Sequence, residues 1–257
     1  AALKRIIDEW ATGMQAGGGW NALFWNNHDQ PRAINRFCDP DRFRYESAAM
    51  LATAIHLMRG TPYIYMGEEI GMSDPGYTSI EDYVDVEARN AFIELLQEGR
   101  EADEAFRIVH AKARDNARTP MQWDASTGAG FTDGTPWLRP TDQAEVNVIR
   151  EEACGRILPY YKRLIALRKT MPVVSEGTYE PYAPDHPDVL AYIRRHERHH
   201  LLVICSFRGH ETEIDVPEDL LDAEVLISNY PAPPLRPRMQ LRPYEALALL
   251  GPRVTAP

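Results

Sequence analysis

The stretch FWNNHDQPR, residues 24–32, is unusual for an apolar segment. Phe24 and Trp25 run directly into Asn26, Asn27, His28 and Asp29, and Pro31 and Arg32 follow. An amide pair, an imidazole and a carboxylate after two aromatics admit two readings. One is a strand that stops in a polar loop, because Asn and Asp close turns well. The other is the rim of an active site, with a strand end holding polar groups over a pocket.

Other residues could also do chemistry. Glu68 and Glu69 follow a short apolar run and look like an acid pair, although bonding to loop backbone or to arginines is the plainer reading. Arg114 reads as a partner of Asp115 or of a loop carbonyl. His199 and His200 fall in a predicted turn and read as solvated, and EEACGR reads as a helix surface. The cysteines, Cys38, Cys154 and Cys205, are far apart and show no C-x-x-C spacing. They suggest neither a disulfide framework nor a zinc site, and a reducing cytoplasm is the expected setting.

The elements that must position these groups follow from hydrophobic periodicity. Residues 3–15 read as an amphipathic helix, with Leu3, Ile6, Ile7 and Trp10 on one face. A short strand is expected at 22–25, a second helix at 45–59, and a buried strand in TPYIYMG, between Pro62 and Gly67. Helix and strand alternate, which suggests βα units around a parallel sheet. Helices are expected at 86–97, 101–113 and 156–169. Between them, residues 114–142 form a long loop in which Trp123, Phe131 and Trp137 are expected to act as anchors. Beyond Pro172, short alternating runs at 177–182, 189–195, 199–207, 211–216, 223–228 and 244–250 read as a small antiparallel β domain.

The 257 residues suffice for one large domain, or for a medium domain and a small one. A net charge of −10 argues against nonspecific nucleic-acid binding, which needs a cationic surface. The apolar stretch AAMLATAIHLM is too short to span a bilayer, so no membrane partner is expected. No signal peptide is visible. The chain opens on AALKRIIDEWATGM, already in helical pattern, and is expected to be the later part of something longer.

Five motifs occur in one order: FWNNHDQPR, GTPYIYMGEEIGM, RDNARTPMQWD, AGFTDGTPW and LRPYEA. Together they resemble the α-amylase superfamily, glycoside hydrolase family 13, and within it the branch of oligo-1,6-glucosidases, α-glucosidases and trehalose-6-phosphate hydrolases. The resemblance implies an α/β chain: the C-terminal part of a (β/α)8 barrel over 1–171, then a small antiparallel β domain over 172–257. It puts residues 22–25 at barrel strand seven and 63–65 at strand eight. In such barrels the site is built at the C-terminal ends of the strands.

By the same resemblance Asp29 is the family's third carboxylate, which grips sugar hydroxyls and steadies the transition state. His28 matches a histidine that bonds the same sugar. Arg118 matches an arginine reaching the glucose at the non-reducing-end subsite, and Arg32 one near the pocket mouth. The nucleophile and the acid/base belong to strands four and five, upstream, so the upstream half of the barrel is the partner this chain needs. Any calcium or magnesium site of the family also lies upstream, and neither cofactor nor metal is expected here. Cys38, where many relatives have glycine, reads as a tolerated loop change.

The implied activity is retaining, exo-acting hydrolysis of α-glucosidic bonds in short oligosaccharides from the non-reducing end. A phosphotrehalase shares the chemistry. A third reading is non-catalytic: an ectodomain-like relative, as in amino-acid transporter heavy chains, or an inert fragment.

Overall fold

The computed structural model describes residues 2–197 and 199–251. In chain order the helices are α1 (Ala2–Ala16), α2 (Ala33–Phe37), α3 (Pro40–His56), α4 (Val86–Gln97), α5 (Ala102–His110), α6 (Val148–Cys154), α7 (Ile157–Thr170) and α8 (Pro172–Ser175). Strands β1 (Ala22–Leu23) and β2 (Thr61–Pro62) fall among the first helices. The rest follow α8: β3 (Thr178–Tyr182), β4 (Val189–His196), β5 (His199–Ser206), β6 (Thr212–Asp215), β7 (Glu224–Ser228), β8 (Arg238–Leu241) and β9 (Ala246–Leu250).

The chain divides into two units. The first comprises residues 2–24, Cys38–Tyr63 and 159–251. In it β1 and β2 pair in parallel, with Ala22 opposite Thr61 and Leu23 opposite Pro62. Both strands are shorter than the sequence suggests, and Phe24 and Tyr63 just beyond them are exposed. Helix α3 starts earlier than its apolar pattern indicates. Asp39 accepts a hydrogen bond from Arg42 N at 3.2 Å, and Pro40, which needs no N–H partner, occupies the first turn.

The antiparallel sheet has the order β3-β4-β5-β9-β7, and β6 pairs separately with β8. Strands β4, β5 and β9 are apolar almost continuously because both faces of the sheet are covered. One face carries Ile193, Leu202, Ile204, Leu247 and Leu249, packed with Ile214, Met239 and Leu241 from β6 and β8. The other faces α3: Tyr192 Oη donates to Ala54 O at 3.1 Å, and the buried Arg194 donates to Leu57 O and Gly177 O. Strand β8 escapes the sequence reading because RMQL is short and follows a proline-rich run. His200 departs from its expectation. It lies buried within β5 beside Asp219, and burial lowers its pKa, because the turn falls before it. The cysteines are free.

The second unit comprises Trp25–Phe37 and Ile64–Leu158. Tyr77, Tyr83, Val109 and Leu138 form one apolar cluster with the inner faces of α4 and α5. Ile70, Met72, Met121 and Val146 form another. The expected buried strand in TPYIYMG does not extend here, since Ile64 and Met66 are exposed. The long loop is ordered differently from the expectation. Trp123, Phe131 and Trp137 are exposed. Backbone pairing holds it instead, with Trp123 N donating to Ala129 O at 2.8 Å and Val148 N to Gln122 O at 3.0 Å. The buried Gln122 donates to Val146 O at 2.6 Å. In EEACGR, Glu151 is more than surface: its Oε2 accepts from Ile157 N and Leu158 N, both at 3.1 Å, and so caps α7.

Candidate active site

Three of the four site residues read from the sequence come together in the second unit. Arg118 closes a 3₁₀ turn over Arg114–Ala117, and its guanidinium is held on three sides. Nε donates to His28 O at 2.7 Å, and Nη2 donates to Asp29 Oδ1 at 3.1 Å. Nη1 lies 3.7 Å from Asp115 Oδ1. The second Asp29 oxygen, Oδ2, lies 3.3 Å from His28 Nε2. Asp29 N donates to Asn27 Oδ1 at 2.9 Å, which tightens the turn that presents the carboxylate.

Exposure separates the group into a face and a back. The side chains of His28 and Asp29 are 70% and 52% exposed, that of Arg118 only 20%, and that of Asp115 is 0%. A carboxylate, an imidazole and a fixed guanidinium thus share one accessible spot, backed by a buried carboxylate. Such a spot offers both acceptors and donors to a polyhydroxylated ligand, and a fixed anion to a developing cation.

Asp115 is anchored in turn. Its Oδ2 accepts from Val84 N and Asp85 N, each at 2.9 Å. Arg114, expected on Asp115 or a loop carbonyl, instead grips Asp85 through Nε and Nη2 at 2.8 and 2.7 Å, and reaches Glu87 at 3.1 Å. That fork holds the Asp85 carboxyl below the usual carboxylate range.

Arg32 does not stand at a pocket mouth. It is 1% exposed. Its Nη1 donates to Met66 O at 2.5 Å, its backbone N to Asp74 Oδ1 at 2.7 Å, and its guanidinium lies 5.3 Å from the Tyr65 ring centroid. Tyr65 Oη donates to Ala117 O at 3.0 Å, so this turn touches both the His28–Asp29 loop and the Arg118 loop. The placement departs from the expectation for a physical reason: the loop folds the long side chain inward against Tyr65, so Arg32 lies behind the exposed face of the site.

Several supporting residues have contacts that the sequence did not specify. Asn26 is buried, donates to Glu68, and accepts from Ala33 N at 2.6 Å. Glu69 Oε2 accepts from Gly67 N at 2.8 Å. Gly67 has a φ of 90°, and a Cβ there would collide with Met72. Burial pushes the Glu68 carboxyl up to about 7 and the Asp74 carboxyl to about 6. The available signal was a polar residue, Asn26, placed where an apolar strand would continue, and an acid, Asp115, three residues before Arg118. No group of three or more His, Cys, Asp or Glu among the described residues could hold a metal ion. No described helix is long and apolar enough to cross a membrane.

Comparison with known proteins gives two family matches: the alpha amylase catalytic domain over residues 1–177, and the maltogenic amylase C-terminal domain over residues 179–247. A trehalose-6-phosphate hydrolase of Bacillus subtilis is 46% identical over 263 residues, covering 99% of this chain and 46% of the relative. An oligo-1,6-glucosidase of Halalkalibacterium halodurans is 44% identical over 255 residues, covering 97% of this chain and 45% of the relative. The crystal structure of a Bacillus licheniformis trehalose-6-phosphate hydrolase superposes with a TM-score of 0.93 at 44% identity, over 97% of this chain and 46% of that one. The chain therefore spans about half the length of the relatives it matches.

Proposed function

Since the chain belongs to the α-amylase family, we propose that the complete protein is a retaining, exo-acting α-glucosidase of the oligo-1,6-glucosidase kind. It removes glucose from the non-reducing end of short, uncharged oligosaccharides. Asp29 steadies the positive charge that develops on the ring, and His28 and Arg118 hold the same sugar. The observation that carries this reading is the three-sided anchoring of Arg118 beside a half-exposed Asp29. A guanidinium fixed in this way is pre-organised to bond in a defined plane.

Retaining cleavage also needs a nucleophile and an acid/base about 5–5.5 Å apart. The family resemblance assigns both to strands upstream of strand seven. We therefore infer that this chain supplies the third carboxylate, needs the upstream half of a (β/α)8 barrel, and is inactive alone. Residues 1–171 belong with that barrel and 172–257 with the β domain. The acidic chain and its free cysteines support a cytoplasmic enzyme that engages neither nucleic acid nor membrane.

A phosphotrehalase is the second reading, favoured by the similarity to trehalose-6-phosphate hydrolases in sequence and backbone. It requires cations around the second sugar to hold a phosphate, whereas Arg114 is engaged by Asp85 and Glu87. The deciding experiment compares kcat/KM for isomaltose and trehalose 6-phosphate on the complete protein. Isomaltose is expected to be preferred. A preference above about tenfold for the phosphorylated sugar, about 1.4 kcal/mol, replaces the first reading by the second. Absence of hydrolysis with either sugar leaves the non-catalytic reading.

A further inference from the structure

Glu68 lies behind the loop that presents His28 and Asp29 and touches it through one side chain. Asn26 Nδ2 donates to Glu68 Oε2, while Asn26 Oδ1 accepts from Ala33 N at 2.6 Å. The two bonds pin the loop at both ends, because Asn26 precedes His28 and Ala33 follows Asp29. All three residues are buried. An amide has one donor end and one acceptor end, so its orientation depends on what faces it. An ionised carboxylate can only accept. It therefore forces the NH2 end of Asn26 toward Glu68 and the oxygen toward Ala33 N.

We propose that Glu68 is a positioning residue for Asp29: its ionised carboxylate fixes the Asn26 amide, and through it the loop that holds Asp29 against Arg118. The proposal rests on the reading of Asp29 as the charge-stabilising carboxylate. When Glu68 is protonated it can donate, and Asn26 can then turn its oxygen toward it. The turned amide presents NH2 to Ala33 N, which loses its acceptor, and the loop loosens.

The groups that face Glu68 set where this happens. Burial is the largest influence and raises its pKa to about 7. The Asn26 hydrogen bond lowers it, the neighbouring Glu69 raises it, and Arg32 and the Tyr65 backbone lower it. Arg32 is itself shared with Asp74, whose Oδ1 accepts from the Arg32 backbone N. The switch therefore falls near neutral pH, above the range of an ordinary glutamate.

The test uses the complete protein and Glu68→Gln, which cannot ionise and, like the protonated acid, can donate as well as accept. At pH 8 the variant is expected to show the lowered kcat that the parent reaches below its acid limb, and a variant as active as the parent at pH 8 overturns the proposal. The parent is expected to show an acid limb of kcat near pH 7 that the variant lacks. The same acid limb in the variant overturns the proposal. A second readout needs no substrate: the Asn26 side-chain amide NMR signal. It is expected to titrate with a midpoint near 7 in the parent and to stay constant in the variant. A parent signal that does not change between about pH 6 and 8 also overturns the proposal, whether or not the variant folds. Asp29→Asn assayed alongside tests the underlying reading: if it is fully active, that reading fails, while the amide titration still reports on Glu68.

Discussion

Arg118 and Asp29 form an ion pair at 3.1 Å in which the arginine is the less exposed partner, 20% against 52%. The asymmetry fixes their roles. Arg118 is held from behind by Asp115 and along its edge by His28 O, so it orients Asp29 rather than being oriented by it. Asp29 retains an accessible face with which to meet a ligand.

Arg118→Lys is expected to lower kcat/KM on short substrates by roughly ten- to a hundredfold. An ammonium cannot donate along both the His28 O and Asp29 directions in one plane, and a charge-assisted hydrogen bond is worth about 1.5–3 kcal/mol. Steady-state kinetics of the complete protein decides this. Normal kcat/KM in the lysine variant removes Arg118 from the site.

Arg114→Lys provides the contrast. Its fork grips Asp85 and it reaches Glu87, and it meets Asp29 only through the field of the charge and not by a hydrogen bond. Activity is expected to stay within about threefold of the parent, well below the loss of a preorganised catalytic group. A loss comparable to that of Arg118→Lys makes Arg114 the better candidate for the sugar site.

Asp115→Asn should damage stability and site together. One oxygen of the fully buried carboxylate accepts two backbone N–H groups while the other faces Arg118. The amide keeps one oxygen and puts an NH2 against either the backbone donors or the guanidinium. A loss of about 1–3 kcal/mol is expected in urea unfolding. An unchanged midpoint means the pocket relaxes around the substitution.

Glu68 and Asp74 also make stability depend on pH. Their pKa values, about 7 and about 6 in the fold, lie above the ordinary values of 4.5 and 3.8. The folded state holds these protons more tightly than the unfolded chain. Their stabilisation is fully present below the ordinary values and is lost as pH rises through about 6 to 7. For Glu68 alone the change is at most on the order of 3 kcal/mol. Urea unfolding at pH 5 and pH 8 should therefore show a smaller difference for Glu68→Gln than for the parent. Equal differences mean that Glu68 does not titrate in this range.

The sequence made the visible half of the site legible. NNHD and NARTP match motifs of the family the chain resembles, and His28, Asp29 and Arg118, which that resemblance implies, do meet. Apart from β8, the antiparallel strands were equally plain, because apolar runs such as LLVIC and ALALL must be covered on both faces. The hidden half was not legible. Nothing in QPR says that Arg32 folds under Tyr65, and nothing in GEE says which glutamate meets an amide and which a backbone N–H. Arg32 and Asn26 meet partners far along the chain, Met66 at 34 positions and Glu68 at 42. Exposure misled as well. Tyr63, Ile64, Trp123 and Trp137 have core composition, yet all are exposed.

The central claim is that Asp29 acts by its charge, and Asp29→Asn in the complete protein tests it most directly. The substitution keeps the shape of the side chain and the acceptor that faces Arg118, and removes the anion. Loss of one preorganised electrostatic group typically lowers kcat by about 10²–10³. The measurement is kcat at saturating isomaltose, with folding checked by circular dichroism. A fall of that size in a folded variant is the predicted result. A folded variant with kcat within about threefold of the parent, far below that range, contradicts the account and leaves Asp29 as a structural partner of Arg118.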